Sequence, residues 1–420
     1  MSAPAATEAE VRALVGLAAL PGIGAATLLG CHRAEGAPAA LDALRRGRPG
    51  EVRALAERLG PRADLAARLR RAAAGLDLDA LVEAHTAGGR QVLVADRAGY
   101  PSLLAADPAP PAVLFVEGRR ELLEGSNLAI VGTRNTTHVG RELATTLGRE
   151  AAEAGCNVVS GLALGIDGAA HNGALAALDP LVALAALGTL DGGGPAGAAL
   201  GRPIGVIASG LDIAYPRRHA RLHRRVRAEG VLVSETPLGI RPERWRFPAR
   251  NRIIAGLAAG VVVVESRRRG GSMTTVDEAL DRQREVLAVP GHPLAPASAG
   301  TNQLIRDGAV LVRDLDDVFG ALGWTRPEPP AGGAAAADPP ARTGSGGARP
   351  AVPEGAAGAV LRHLLAGPAS LDELVVAVRA PMGEVAAALV RLEADGHLTA
   401  SGSWFELSGQ GLRVAGGADR

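Results

Sequence analysis

Seven short runs of mostly apolar residues recur along the middle of the chain, and helical stretches separate them. The runs are Leu128–Val131, Asn157–Ser160, Ile204–Ala208, Val231–Ser234, Gly260–Glu265, Val286–Val289 and Val310–Val312. Continuous apolar strands that alternate with amphipathic helices are typical of a parallel sheet covered on both faces. The pattern therefore predicts an α/β domain, an extended Rossmann-like doubly wound parallel sheet, over residues 127–322.

The segments on either side of this domain differ in composition. Residues 1–90 are rich in Ala, Leu and Arg at helical spacing, which predicts a helical N-terminal domain. Its Leu20–Thr27 turn is typical of SAM or helix-hairpin-helix folds, although a plain packing hairpin fits as well. Residues 91–126 hold one or two strand patterns and are interpreted as a connector. Residues 325–353 are rich in Pro, Gly and Ala, which predicts a flexible linker. Residues 354–410 regain helical periodicity and end in a hairpin pattern, which predicts a winged helix.

The composition excludes several kinds of site. The 45 basic and 44 acidic residues nearly cancel, so net charge points to no partner. Every basic residue is Arg, which excludes Schiff-base lysine chemistry and a Walker-type phosphate loop. Cys31 and Cys156 lie far apart, and neither belongs to a CxxC motif or to a paired set of Cys and His at metal-ligand spacing, so we expect neither a disulfide framework nor a metal site. No cofactor is predicted.

The N-terminal sequence does not have the basic and apolar regions of a signal peptide. The longest uncharged apolar runs, such as Ile253–Val264, are too short to span a bilayer. We therefore expect a soluble, cytoplasmic protein without a membrane partner.

Polar, glycine-rich turns follow several of the predicted strands. In an open α/β sheet such turns meet at the carboxyl edge of the strands, where ligands bind. Glycines let backbone N–H groups approach oxygen atoms, and helix N-termini favour anions. One such turn alone is more often plain turn geometry, but their recurrence favours a phosphate ligand, while the absence of GxGxxG after the first strand disfavours NAD. The candidate residues in these turns are Gly132, Arg134, Ser160, Gly161, Gly165, Gly271 and Ser272.

A second cluster of candidates lies in Arg246–Arg252. Arg250 and Arg252 flank Asn251 there, and Phe247 precedes them. One guanidinium group can donate two parallel hydrogen bonds to a phosphate, and a phenyl ring can stack on a base. The alternative is that Phe247 belongs to the core and the arginines are solvated. Local charge favours nucleic acid, because residues 241–270 carry eight arginines against two glutamates. A basic run at residues 213–228 is by default a solvated face.

Catalysis is not predicted. Asp167 precedes a predicted helix, where a capping role is the simpler interpretation, and His171 has no identifiable Ser or Cys partner. No catalytic residue is therefore assigned, and we expect a binding protein rather than an enzyme.

Taken together, these motifs resemble the DNA-processing protein A (DprA/Smf) family. The resemblance covers most of residues 127–320 through VGTR (131–134), SGLALGIDGAAHNGAL (160–175), FPARNRIIAGL (247–257), GGSMTT (270–275) and GTNQLIRDGA (300–309). It implies a cytoplasmic homodimer that binds single-stranded DNA, loads the RecA recombinase and acts in natural transformation. The positions that fall on pocket motifs of the family are Arg134, Ser160, Gly161, Phe247, Arg250, Asn251, Arg252 and Ser272.

Three departures from the family pattern stand out. Residues 178–203 form an Ala/Gly/Leu-rich insert, Gly270 stands where the family usually has Ser, and any phosphate contact made by Lys in relatives falls to Arg here. Parts of the sequence also fit two other functions. Gly270–Glu278 loosely resembles the loop of Rossmann-like nucleotide phosphoribohydrolases, and a winged helix is also used by transcriptional regulators. The predicted recognition helix, Pro381–Asp395, has one Arg against three acidic residues, which disfavours DNA reading.

Overall fold

The fold is known from a computed structural model that describes residues 3–60, 62–179, 200–325, 353–365, 367–401, 404–408 and 414. Its central element is a nine-stranded sheet with the strand order β1-β2-β6-β5-β4-β3-β7-β8-β9. The strands are β1 Arg90–Val94, β2 Val113–Gly118, β3 Asn127–Val131, β4 Asn157–Ser160, β5 Pro203–Val206, β6 Val231–Ser234, β7 Gly260–Val263, β8 Glu285–Ala288 and β9 Val310–Leu311. Each of the seven apolar runs predicted as strands contributes to this sheet.

Seven of the strands, from β6 across to β9, pair in parallel. The other two extend the sheet beyond β6, where β2 pairs antiparallel with β6 and β1 antiparallel with β2. The segment 91–126, interpreted from the sequence as a connector, therefore supplies most of two strands of the sheet. This extension was not predicted, because a short apolar run does not reveal which edge it joins.

Helices cover both faces of the sheet, which confirms the doubly wound fold. Within the described residues the helices before the C-terminal region are α1 Glu8–Ala19, α2 Ala25–Arg33, α3 Ala37–Arg46, α4 Arg53–Leu59, α5 Ala63–Ala74, α6 Leu78–Thr86, α7 Ser102–Ala105, α8 His138–Glu153, α9 Ile166–Ala176, α10 Ala220–Glu229, α11 Arg246–Leu257, α12 Met273–Asp281, α13 Ala299–Arg306 and α14 Leu315–Leu322. On β3, Leu128 and Ile130 pack with α8, α9 and α14, whereas Ala129 and Val131 pack with α11 and α12. Alternate side chains of one strand thus fill two separate cores.

The order of the parallel strands creates a crevice. The parallel part of the sheet begins at β3, adds β4, β5 and β6 on one side, and then returns through α11 to place β7 on the other side of β3. Connections on the two sides of β3 therefore diverge at its carboxyl end, which is where open α/β sheets bind ligands.

The N-terminal helices pack directly against the sheet. The turn of residues 20–24 joins α1 to α2. Leu14 and Leu44 of the helical region share one hydrophobic cluster with Phe115 of β2 and Leu232 of β6. The backbone N–H of Leu238 donates to Nε2 of His85 at 3.0 Å. The helical region and the sheet therefore share one hydrophobic core.

The C-terminal region is a winged helix, as predicted. It contains α15 Ala356–Leu364, α16 Leu371–Val378 and α17 Met382–Ala394, with strands β10 Ala369–Ser370, β11 Leu398–Ser401 and β12 Trp404–Leu407 in the order β10-β12-β11. Ser370 and Glu373 form the capping box at the start of α16. The predicted linker (325–353) and the insert (178–203) lie largely outside the described residues. No helix in the described part is long and apolar enough to cross a membrane.

Candidate functional site

A cavity of about 620 Å³ opens at the carboxyl ends of β3 and β7. We call it the strand-end cavity. Its walls come from the turn after β3, the first turns of α11 and the loop between β7 and α12. Of the residues predicted from the sequence, it brings together Gly132, Arg134, Phe247, Arg250, Asn251, Gly271 and Ser272. Ser160, Gly161, Gly165 and Arg252 do not line it.

An aromatic and cationic surface lies in this cavity. The guanidinium carbon of Arg134 lies 5.0 Å from the ring centroid of Phe247. The ring of Tyr215 lies 5.6 Å from that of Phe247 at a tilt of 44°. Phe247 is half-buried and Tyr215 is 46% exposed, so Phe247 is not a core residue sealed from solvent. The arrangement can hold a planar base against a ring with a cation beside it.

Tyr215 was not predicted as a site residue. It lies within the stretch of residues 213–228, three residues after the Ser209–Asp212 turn and two before Arg217, the first arginine of the basic run. An exposed aromatic residue next to such a basic run is the signal that could have identified it. The sequence alone does not show that this tyrosine faces Phe247 across the crevice.

Positive charge dominates the cavity. Arg244 and Arg267 also line it, and both are exposed, as is Arg134. Among the described residues, none of these three arginines forms an ion pair with a carboxylate. The acidic side chain in the wall is that of the buried Asp167. The exposed cations are therefore available to neutralise an anionic ligand.

Arg250 is placed differently from the other cations. Its guanidinium is buried and donates to the backbone oxygen of Gly161 at 2.9 Å and to that of Val206. Burial lowers its pKa to about 10, although Asp167 acts in the opposite direction. Arg250 therefore ties the ends of β4 and β5 together beneath the cavity. Its Nη1 is thereby used within the protein, and its role in binding phosphate stays a prediction.

Asp167 is the buried acidic residue whose charge acts on Arg250. Burial raises its pKa, whereas Arg250 and backbone N–H groups lower it. One of those groups is the N–H of Gly161, which donates to Oδ2 at 3.2 Å. The carboxylate lies in the first turn of α9, next to the helix N-cap Gly165. These contacts support the structural interpretation of Asp167 over a catalytic one.

Arg252 points away from the cavity. Its guanidinium pairs with Glu235 and donates to the backbone oxygen of Ala109 at 2.7 Å. It thereby joins α11 to the segments that precede β2 and follow β6. The expectation that Arg252 neutralises a phosphate is not supported by this position, because both its contacts lie within the protein.

The remaining predicted residues shape the site by close packing. The hydroxyl of Ser160 donates to the backbone oxygen of Ile130 at 2.7 Å. A Cβ on Gly161 would lie 2.4 Å from the guanidinium of Arg250. Gly165 has a φ of +80°, and a Cβ there would lie 2.2 Å from the backbone oxygen of Thr133. These positions require small residues so that the surrounding loops can approach one another.

Buried polar contacts hold the two loops that form the cavity rim. The carboxylate of Glu265 accepts from the hydroxyls of Thr136 and Thr137 at 2.7 and 2.6 Å, and from the N–H of Thr137 at 3.0 Å. Asn251 donates to the hydroxyl of Thr274 at 2.6 Å. The loop after β3 is thus anchored to the end of β7. Glu265 was not predicted, since its sequence context resembles any acid that ends a strand.

Little in the site suggests bond-breaking chemistry. His171 is fully buried, its Nε2 lies 3.2 Å from the oxygen of Ile204, and burial lowers its pKa to about 3. Glu278, the carboxylate of the phosphoribohydrolase-like loop, lies outside the cavity wall and pairs with Arg282 at 2.5 Å. Within the described residues, no group of three or more His, Cys, Asp or Glu could hold a metal ion. The geometry favours binding.

Comparison with known proteins identifies the family. Residues 91–323 match the family of DNA recombination-mediator protein A, and residues 334–402 match the DprA winged helix domain. The chain is 39% identical to the DNA processing protein DprA of Bacillus subtilis (strain 168) over 224 residues, which are 53% of this chain and 68% of that protein. It is 38% identical to Protein Smf of Escherichia coli (strain K12) over 229 residues, which are 54% of this chain and 55% of that protein.

A solved structure agrees with the sequence matches. DNA processing protein A (DprA) from Streptococcus pneumoniae superimposes with a TM-score of 0.55 at 29% identity, over 75% of this chain and 98% of that chain. The family match begins within β1 and runs past β9, so the two antiparallel strands lie inside the matched region. It also covers more than half of the chain and contains every residue of the strand-end cavity. The chain therefore belongs to the DNA recombination-mediator protein A family, DprA/Smf.

Proposed function

We propose that the chain binds single-stranded DNA in the strand-end cavity and acts in the cytoplasm as a recombination mediator. The observation that carries this proposal is the contact of Arg134 with Phe247, with Tyr215 beside them, in a cavity whose exposed charged side chains are arginines. Aromatic rings bind bases of any sequence, and arginines bind phosphates. Membership of the family supports the same function.

The preference for single strands follows from the shape of the cavity. Phe247 is half-buried at the end of a crevice, and a base inside a duplex is stacked between its neighbours and cannot reach it. A single strand offers unstacked bases. Since phosphate contacts carry no sequence information, we expect weak sequence preference.

The binding proposal is tested by fluorescence anisotropy with a labelled oligothymidylate and a matched duplex. Arg134→Ala and Phe247→Ala should each weaken single-strand binding by roughly 5- to 100-fold, because stacking on an aromatic ring contributes about 1–3 kcal/mol per base. Arg53→Gln serves as the control, since Arg53 is exposed on α4 and paired with Glu57. Wild-type binding that neither substitution changes would refute the site.

We further propose that two copies of the chain associate and that the complex loads RecA onto the bound strand, as the family resemblance implies. Light scattering should then give a mass twice the 42.5 kDa of one chain. Wild-type protein should shorten the lag of RecA's DNA-dependent ATP hydrolysis, and Arg134→Ala should not. A monomeric mass would refute association, and an unchanged lag would refute loading.

A further inference from the structure

A second cavity, of about 760 Å³, lies between the N-terminal helices and the carboxyl ends of β5 and β6. We call it the interdomain groove. The turn of residues 20–24 forms one wall, and the segment of residues 235–241 after β6 forms another. Leu20, Ile23 and Ile240 make much of the lining apolar. A groove of this size and character accommodates a flat, largely apolar group.

Trp245 is the prominent side chain of this groove. It is 57% exposed, and the guanidinium carbon of Arg246 lies 4.3 Å from its ring centroid. The indole N–H donates to Glu243. Since this donor is already used and Arg246 lies over one face of the ring, what the indole offers to a ligand is its other aromatic face. The pair repeats the chemistry of Phe247 and Arg134.

The charges of the groove are mostly arranged in favour of a phosphate. Arg241 and Arg246 line it, together with Arg58, which donates to the backbone oxygen of Gly22 at 3.0 Å. The two acidic residues in the lining both have donors, because Glu235 pairs with Arg252 and Glu243 accepts from Trp245. Arg241 is exposed. This excess of positive charge suits the phosphates of a nucleic-acid strand and does not suit a cationic ligand.

The groove and the strand-end cavity are neighbours and share one lining residue. The start of α11 separates the two, so that Trp245 and Arg246 line the groove while Phe247 and Pro248 line the cavity. Arg250 lines both. A strand whose base contacts Phe247 can therefore pass over this helix start and place another base against Trp245.

We propose that the interdomain groove is a second base-binding subsite for the same single strand, with Trp245 as its stacking residue and Arg241 and Arg246 as its phosphate contacts. This inference rests on the proposed binding of single-stranded DNA at the strand-end cavity. It gives the N-terminal helices a part in DNA binding, because their turn forms one wall of the subsite.

The test compares oligothymidylates of about 4 and about 16 nucleotides, lengths that bracket occupancy of one and of both subsites. Trp245→Ala should weaken binding of the long strand by roughly 5- to 100-fold and leave the short strand unchanged, because the short strand occupies the strand-end cavity alone. Arg134→Ala should weaken both. Trp404→Ala is the matched control, since Trp404 is also exposed but lies on β12 of the winged helix.

Tryptophan fluorescence supplies a second measurement on folded protein. The chain has three tryptophans, so the difference between wild type and Trp245→Phe isolates one of them. The long strand should quench the Trp245 signal, and Arg241→Gln should reduce the affinity for the long strand only. If Arg134→Ala weakens binding while Trp245→Ala binds both lengths like wild type and Trp245 is not quenched, the second subsite is refuted and the first stands. If Arg134→Ala has no effect either, the proposed function fails as well.

Discussion

At the scale of single residues, the environment decides what each arginine does. Arg134 and Arg250 both line the strand-end cavity, but Arg134 is exposed beside Phe247, whereas Arg250 is 6% exposed and bonded to backbone oxygens. Turning the buried guanidinium of Arg250 towards a phosphate would break the bonds that its Nη1 donates to those oxygens. Arg134 can move to a ligand at little cost. Under the proposed function, we therefore expect the exposed cations rather than Arg250 to supply most of the attraction to phosphates.

Buried histidines should make the fold sensitive to acid. Burial lowers the pKa of His171 to about 3 and that of His223 to about 4, against about 6.5 in an unfolded chain. The folded state then binds fewer protons than the unfolded state below pH 6.5, so its free energy of unfolding falls as the pH falls. Each histidine should lower the free energy of unfolding by about 2 kcal/mol at pH 5 relative to neutral pH.

The measurement is urea unfolding at about pH 7.5 and about pH 5 with wild type and His171→Gln. Glutamine keeps an N–H donor for the oxygen of Ile204, which lies 3.2 Å from Nε2, but does not titrate. The variant should lose about 2 kcal/mol less stability between the two pH values than wild type. An equal loss in both proteins would show that His171 contributes nothing to the acid sensitivity.

At the scale of elements, the loops of the site are positioned by close packing of backbone against backbone. Gly165 begins α9, and its place for a Cβ is already taken by the backbone oxygen of Thr133 in the turn after β3. That turn carries Arg134 and is held on its other side by Glu265. The position of Arg134 thus depends on the contact between Gly165 and Thr133, which joins the start of α9 to the turn after β3.

We predict that Gly165→Ala lowers single-strand affinity by about tenfold or more, because the added methyl group must push the turn of Arg134 away from α9. The control is Gly323→Ala after α14, where φ is also positive, at +64°, but no atom lies within 4 Å of the added Cβ. That variant should lose roughly 1–2 kcal/mol of stability through backbone strain and bind DNA normally. Equal affinities of the two variants, measured by anisotropy, would contradict this role of Gly165.

Much of the fold at this scale follows from the sequence, and the exceptions have physical causes. Runs such as Val231–Ser234 are apolar at consecutive positions because both faces of a central strand are buried, and this pattern predicts a strand without further knowledge. Pairing partners are not encoded in such a run. The antiparallel addition of β1 and β2 depends on which edge of the sheet remains open, which is a property of the assembled fold.

The site itself was predictable to a similar degree. The turns that end β3 and β7 could be located, because glycine-rich turns after strands converge by topology. The contacts of each arginine could not be predicted, because Arg250 and Arg252 bind partners that lie far away in the sequence. These partners are Val206 and Glu235. Tyr215 was missed for the same reason, as its partner Phe247 comes from another crossover connection.

At the scale of the whole molecule, a formal net charge of +1 offers no long-range attraction to DNA. Attraction to DNA must therefore come from a local excess of positive charge. The strand-end cavity has such an excess in the exposed Arg134, Arg244 and Arg267. Neutralising phosphates releases counterions, so affinity should fall steeply with salt although the whole protein is nearly neutral.

This argument predicts how the salt dependence responds to single substitutions. On a single strand each neutralised phosphate contributes about 0.7 to the slope of log Kd against log salt. Arg244→Gln and Arg267→Gln should each reduce the slope by about 0.7, and the double variant by about twice as much. The measurement is anisotropy across a salt series. Arg53→Gln removes the same formal charge from α4, where Arg53 is paired with Glu57, and should leave the slope unchanged. If all of these variants kept the wild-type slope, phosphate neutralisation would lie outside the strand-end cavity, whereas an equal reduction by Arg53→Gln would mean that total charge controls binding.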